Sequence, residues 1–476
     1  MRILLTGANG YVGKRLLPEL LRQGHEVICA VRDKIRLGLD PHTLALVTIW
    51  EVDFLDEVNL ENCPTDIDIA YFLIHSMSSS IETFDTMEAL TAHHFNRYSE
   101  FMNVKQVIYL SGIVNDPKLS KHMLSRNNVE KILFGGKPNL TVLKAGIIVG
   151  SGSSSFEIIR DLCEKLPIMI TPKWVLTKTQ PIAIRDVMQY LIGVQNRADC
   201  FNESFDIGGP NIITYKQMMQ LYAKTRGIKL AIFTIPFMTP KLSSYWLYFV
   251  TSTSYKLAIN LVDSMKVEVV CKDNRLQKLL RIKPISYVDA ITLAFQKIEQ
   301  NLVISSWKDS LVSSRFKENL SNYVQVPSFG CLKDSKQITI VDAEQVLENI
   351  WSIGGDKGWY YGNWMWRLRG AIDKLVGGVG LRRGRKSPTL LYNGDALDFW
   401  RVLLADKEHN RLLLFAEMRV PGEAWLEFRI DEKNTLHQIA TFRPKGIFGR
   451  LYWYAMIPFH FFIFDGMIKN IVKTKS

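Results

Sequence analysis

Cysteine is scarce in this chain of 476 residues: six are present (Cys29, Cys63, Cys163, Cys200, Cys271, Cys331), and no two form a CxxC pair. That argues against a zinc site and a disulfide framework and fits a reducing cytosol. No clean run of about 18 apolar residues is present, so an integral membrane helix is not expected. The nearest approach, LYWYAMIPFHFFIFDGMI at 451–468, is interrupted by Pro458, His460 and Asp465 and reads as a buried amphipathic helix. Internal repeats and low-complexity tracts are lacking. So are lysine runs, zinc-finger spacing and a helix-turn-helix pattern, so the net charge of +12 does not point to nucleic acid. The first apolar strand begins directly after Met1, which leaves no room for a signal peptide and makes the expected location cytoplasmic. What is there is an ordinary globular composition, 47% hydrophobic and 22% charged. The length implies two domains, because single cores stop growing at roughly 250 to 300 residues.

RILLT (2–6) is a short apolar strand, and Leu16, Leu17, Leu20 and Leu21 then fall on one face of a helix. Between them lies TGANGYVG. Gly7 permits a tight turn, Gly10 lets backbone amides approach a pyrophosphate, and Gly13 allows the helix to pack on the strand. Gly24 ends the helix and HEVICAVR supplies a second strand, which completes a dinucleotide-binding βαβ unit. Arg32 closes that second strand. An arginine there suits the 2′-phosphate of NADP(H), whereas an acidic residue suits NAD(H), and Asp33 follows immediately; Arg32 favours NADP(H), with NAD(H) the alternative. Further apolar runs at 46–52, 69–74, 107–110 and 140–145 alternate with helix-length stretches, which predicts a doubly wound parallel α/β sheet. Residues 150–300 read as a more helical substrate lobe of the same domain.

TGANGYVG, VDFLD (52–56), YFLIHSM (71–77), IYLSG (108–112), TQPIAIRDV (179–187) and FDIGGP (205–210) resemble an atypical short-chain dehydrogenase/reductase of the NmrA-like and complex I accessory-subunit type, over about residues 1–300. The resemblance implies cofactor contacts from Gly7, Asn9, Gly10, Tyr11, Val12 and Gly13, from Asp53 and Phe54 beside the adenine, and from Ile74 and His75 after the fourth strand. It also implies a catalytic serine at Ser111. The family's YxxSKxxxE frame reads HMLSRNNVE here, with His122 in place of the tyrosine and Arg126 in place of the lysine. A histidine can shuttle protons near neutral pH, so the pair either retains the chemistry or belongs to a domain that binds nucleotide without turnover. His25, His42 and His437 have no metal-ligand partners at useful spacing, and no metal is expected.

Eight of the eleven tryptophans lie after residue 300, and a polar stretch at 301–320 reads as a linker. Residues 321–476 then show a strand near 337–341, a helix from Asp342, meander strands from about 389 and a last helix near 448–472. That order resembles the α+β helix-grip fold of START-like proteins, and GGDKGWYYGNWMWRLRG and FRPKGIFGRLYWY look like a domain of unknown function fused behind such dehydrogenases. Trp351, Trp359, Trp364, Trp366, Trp400 and Trp425 would either line a pocket for a hydrophobic small molecule or lipid or form a core. Asp398, Glu417, Glu427 and Arg429 alternate with apolar residues, so some could face such a cavity. Arg382, Arg383, Arg385 and Lys386 read as a solvated loop, with transient contact to an anionic membrane surface as the sharper alternative. Together these features suggest an NADP(H)-dependent oxidoreductase acting on a hydrophobic substrate, with a sensor or assembly factor and a hydrophobic-ligand carrier as rivals.

Overall fold

The computed structural model describes residues 1–32, 34–37, 39, 41–74, 84–114, 121–235, 262, 264–299, 326, 331–376, 378–380, 385, 387, 389–444 and 446–473. The expected linker at 301–320, together with His75, Arg382, Arg383 and Lys386, lies outside them. The chain divides near residue 311 into two compact units.

In the first unit the apolar runs become β1 (Arg2–Thr6), β2 (Glu26–Val31), β3 (Val47–Glu51), β4 (Ile69–Phe72), β5 (Gln106–Gly112) and β6 (Asn139–Ala145), joined by β7 (Glu203–Ile207). All seven pair in parallel, in the order β7-β6-β5-β4-β1-β2-β3. In the five inner strands the Val, Ile and Leu content follows from burial on both faces, since crossover helices cover a parallel sheet from each side. The helices that position the site are α1 (Gly13–Arg22), α2 (Phe84–Phe101) and α3 (Lys121–Phe134). Trp50, Phe54, Phe95 and Tyr98 fill one side of the sheet, with Trp50 edge-on to Phe54 at 5.9 Å and to Tyr98 at 5.2 Å. The order reverses direction between β1 and β4, and in such sheets ligands bind beyond the strand carboxyl ends at that point. The lobe packs α4 (Ser154–Lys165), α5 (Tyr215–Thr225) and α6 (Tyr287–Glu299) around Phe156, Tyr222 and Phe295.

The second unit runs β8 (Leu332–Thr339), α7 (Ala343–Trp351), α8 (Asn363–Leu375), β9 (Ala396–Leu397), β10 (Trp400–Asp406), β11 (Arg411–Ala416), β12 (Gly422–Ile430), β13 (Thr435–Pro444) and α9 (Gly446–Lys473). Its sheet is antiparallel, in the order β8-β13-β12-β11-β10-β9. Asp342 caps α7 by accepting from the Gln345 amide at 3.0 Å. Trp453, Phe464, Met467, Ile468 and Ile471 of α9 join the core of this unit.

Three expectations for the second unit need correction. The helix at 451–468 is buried on one side only: Trp453, Ile463, Phe464, Met467 and Ile468 lie in the core, whereas Leu451, Tyr454, Ile457, Phe459, Phe461 and Phe462 are exposed. By length and composition Phe448–Lys473 is apolar enough to cross a membrane, with a mean hydropathy of 1.3. A helix apolar all round gives no periodicity to say which face packs, and only the tertiary fold decides it. The alternating polar residues do not line the cavity described below. Asp398 accepts from the Trp359 indole at 2.8 Å, Glu417 is buried against Arg401 at 2.9 Å, Glu427 accepts from Arg411 at 2.7 Å, and Arg429 is exposed. Arg385 is no solvated loop residue, because it donates to the carbonyls of Ile353 at 2.7 Å and Trp351 at 2.8 Å, and burial draws its pKa down to about 10.

Candidate functional site

At the carboxyl ends of β1, β4, β5 and β6 a cleft of about 300 Å³ opens where the sheet order reverses. Its floor is the glycine loop. Gly7 has φ +64, and a side chain there would stand 2.8 Å from the Leu73 carbonyl oxygen at the end of β4. A Cβ on Gly13 would meet the Gly7 oxygen at 2.3 Å, so the start of α1 lies directly on the turn. The Gly10 amide donates to the Gly7 carbonyl at 2.8 Å and fixes that turn. Val12 caps α1 without a side-chain hydrogen bond and the first turn holds no acidic residue, so the positive end of the helix suits an anion. A backbone cradle that any Cβ would fill, set against a helix N-terminus, fits the pyrophosphate of a dinucleotide.

Tyr11 and Val12 line the cleft, as does Ile74, and Asn9 is half-buried in the same turn. Tyr11 is locked in place: the Arg15 guanidinium lies 4.0 Å from its ring centroid and donates to the Ser151 carbonyl at 2.7 Å. Burial raises the Tyr11 phenol to about 12, so it stays neutral. Arg32 is exposed just past β2. Asp53 is half-buried and accepts from the Leu55 amide at 3.0 Å, while the Phe54 ring lies in the core against Trp50; neither lines the cleft.

Ser111 and Arg126 both line the cleft. His122 stands one turn before Arg126 in α3, but its side chain lies outside the description. Sequence reasoning passed over Tyr109 and Glu88, which line the same space. Tyr109 and Ser111 are two residues apart on β5 and therefore share a face, a signal available in IYLSG. Burial raises the Tyr109 pKa, and the Arg126 charge and a hydrogen bond with Ser111 oppose that rise. Glu88 accepts from the Ser125 hydroxyl at 2.6 Å, tying α2 to α3. No local pattern announces Glu88, because helix packing alone brings it there. Burial raises the thiols of Cys29, Cys163 and Cys271 to about 12, which leaves them protonated and poor nucleophiles.

A parallel sheet with this switch point and this cradle defines an NAD(P)-binding Rossmann domain. Residues 7–134 match the family described as NAD(P)H-binding, and residues 331–467 match a protein family of unknown function, DUF2867. Over 43 residues the chain is 46% identical to dTDP-6-deoxy-L-talose 4-dehydrogenase (NAD(+)) from Aggregatibacter actinomycetemcomitans, a stretch covering 9% of this chain and 14% of that enzyme. A nucleoside-diphosphate-sugar epimerase from Staphylococcus aureus superposes with a TM-score of 0.50 at 12% identity, over 61% of this chain and 99% of the epimerase. The terminal R domain from the myxalamid PKS-NRPS biosynthetic pathway does so with a TM-score of 0.50 at 15% identity, over 64% and 92%. At such identities the likeness is one of fold.

Proposed function

We propose that the chain is an NADP(H)-dependent oxidoreductase of the atypical short-chain dehydrogenase type that reduces a hydrophobic carbonyl compound. One observation carries the reading: the glycine cradle and the polar set of Ser111, Tyr109 and Arg126 face a single cleft. The cofactor, when bound, supplies a hydride. The Ser111 hydroxyl donates to the substrate carbonyl oxygen and polarises it. His122 gives that oxygen a proton as the carbon takes up the hydride, and the imidazole recovers its proton from solvent. Arg126 orients ribose or phosphate. Arg32, at the end of β2, supports NADP(H) over NAD(H) through the 2′-phosphate.

His122→Phe tests this reading: NADPH oxidation with a hydrophobic ketone should vanish while the NADPH Kd stays nearly unchanged. Unaltered turnover excludes His122. A second reading, a sensor or assembly factor that binds NADP(H) without turnover, draws its support from the His122 and Arg126 replacements; tight NADPH binding by a parent protein that reduces no member of a carbonyl panel would favour it.

For the second unit we propose a START-like helix-grip that holds an apolar ligand. Its support is the pairing of the first strand, β8, with the last, β13, the long α9 on the same sheet, and a cavity of about 240 Å³ between α8, α9 and the sheet.

A further inference from the structure

The two halves of α9 differ in what surrounds them. Its second half is anchored, with Ile463, Phe464, Met467, Ile468 and Ile471 in the core of the unit. Over 448–462, by contrast, only Gly449 and Trp453 are buried. There Leu451, Ala455, Pro458 and Phe462 recur every three or four residues, which sets them on the side opposite the buried Trp453, Phe464 and Met467. Tyr454, Phe459 and Phe461 widen this crest, each more than half exposed. Trp364, Leu368 and Ile372 extend it onto α8 as a stripe at i, i+4 spacing. All three are exposed, and they share the wall of one cavity with Phe459, which joins the two helices into a single surface. Folded monomers rarely expose apolar patches larger than roughly a few hundred Å², and larger ones mark contacts with proteins or membranes.

Charge selects between these. On α8, and on α9 as far as Phe462, the charges that reach solvent belong to Arg367, Arg369 and Arg450. The acid on this stretch, Asp373, is buried and accepts from the backbone amides of Gly380 at 2.9 Å and Arg419 at 2.6 Å. A second copy of the chain docking through the same patch about a two-fold axis would set arginine against arginine. An anionic bilayer suits both features, because its hydrocarbon takes the aromatic crest and its headgroups take the guanidinium groups. The exposed stretch 448–462 is about 22 Å long at about 1.5 Å per residue, short of the ~30 Å hydrocarbon core, and its continuation is held in the protein. The helix therefore lies in one leaflet and does not cross.

We propose that α8 and the first half of α9 dock this protein on an anionic phospholipid bilayer, with the α9 crest in one leaflet and Arg367 and Arg450 on lipid phosphates. Flotation of the full chain with vesicles of phosphatidylcholine alone, and of phosphatidylcholine with phosphatidylglycerol, tests this. Binding to the anionic vesicles should be at least about tenfold tighter than to the neutral ones and should weaken as salt is raised. Leu451→Ser combined with Phe462→Ser removes only exposed side chains and should cut the binding at least about tenfold; NADPH titration and thermal unfolding check that both units of the variant remain folded. Alkaline carbonate should release the bound protein. Three results from the parent alone would overturn the proposal: no binding to either vesicle, equal binding to both, or retention after carbonate, which would show a spanning helix. Parent protein that stays off vesicles but forms a dimer that the double variant does not form would assign the face to self-association instead.

Discussion

Gly13 leaves no space for a side chain. With its Cβ position 2.3 Å from the Gly7 oxygen and 2.8 Å from the Ala8 Cα, Gly13→Ala must push α1 off the turn. Calorimetric titration should show NADPH binding weakened at least tenfold, about 1.4 kcal/mol; unchanged affinity would remove the loop from the cofactor site. Arg32→Glu should weaken NADPH far more than NADH, because NADPH alone carries the 2′-phosphate. Equal losses for both would sink the NADP(H) preference. His460 gives a third outcome at this scale. Its pKa is about 4 in the folded chain against an ordinary 6.5, so the unfolded chain takes the proton first as pH falls. Stability from this group is full above pH 6.5 and declines toward pH 4, by about 2 kcal/mol between pH 7 and pH 5. Denaturant unfolding at those two pH values should show this loss in the parent and not in His460→Phe; identical pH dependence in the two proteins would rule it out.

At the scale of elements, the sequence announced most clearly what local rules govern. The runs around Leu4, Ile28, Tyr71 and Ile108 became central strands, and Gly24, at φ +74, follows α1 as a helix-ending glycine should. The first turn of α7 began at Asp342 for the same reason, a side chain that caps. What local rules do not govern stayed hidden. Glu88 reaches the cleft through the packing of α2, and the exposed side of α9 is set by the sheet it meets. Arg401 and Glu417 make the point from within the sheet: alternation made Glu417 one of four residues that could face a cavity, but only the fold shows that it is buried against Arg401 instead. Both are fully enclosed, and Arg401 also donates to the Gly394 carbonyl at 2.7 Å. Arg401→Met leaves a buried carboxylate and should cost about 3–5 kcal/mol, whereas the double variant with Glu417→Met should regain much of it. Thermal unfolding of both would check the pair; a double variant as unstable as the single one would show that the loss is one of shape.

For the whole molecule, the two units differ in how far apart along the chain their contacts lie. Parallel neighbours such as β1 and β2 are joined by one short helix, but β8 pairs with β13 from Leu332↔Phe442 to Thr339↔Thr435, so Thr339 waits for a partner 96 positions away. The β10–β13 meander can zip up through successive hairpins, while β8 can dock only after that ribbon exists, since the entropy of closing the long loop must be met before its contacts form. Folding of the second unit should therefore be late at its first strand. In pulse-labelled hydrogen exchange, amides of β11 and β12 should gain protection before those of β8, and substitutions in β8 should speed unfolding while leaving the refolding rate nearly unchanged. Simultaneous protection of all three strands would show that the edge strand belongs to the nucleus.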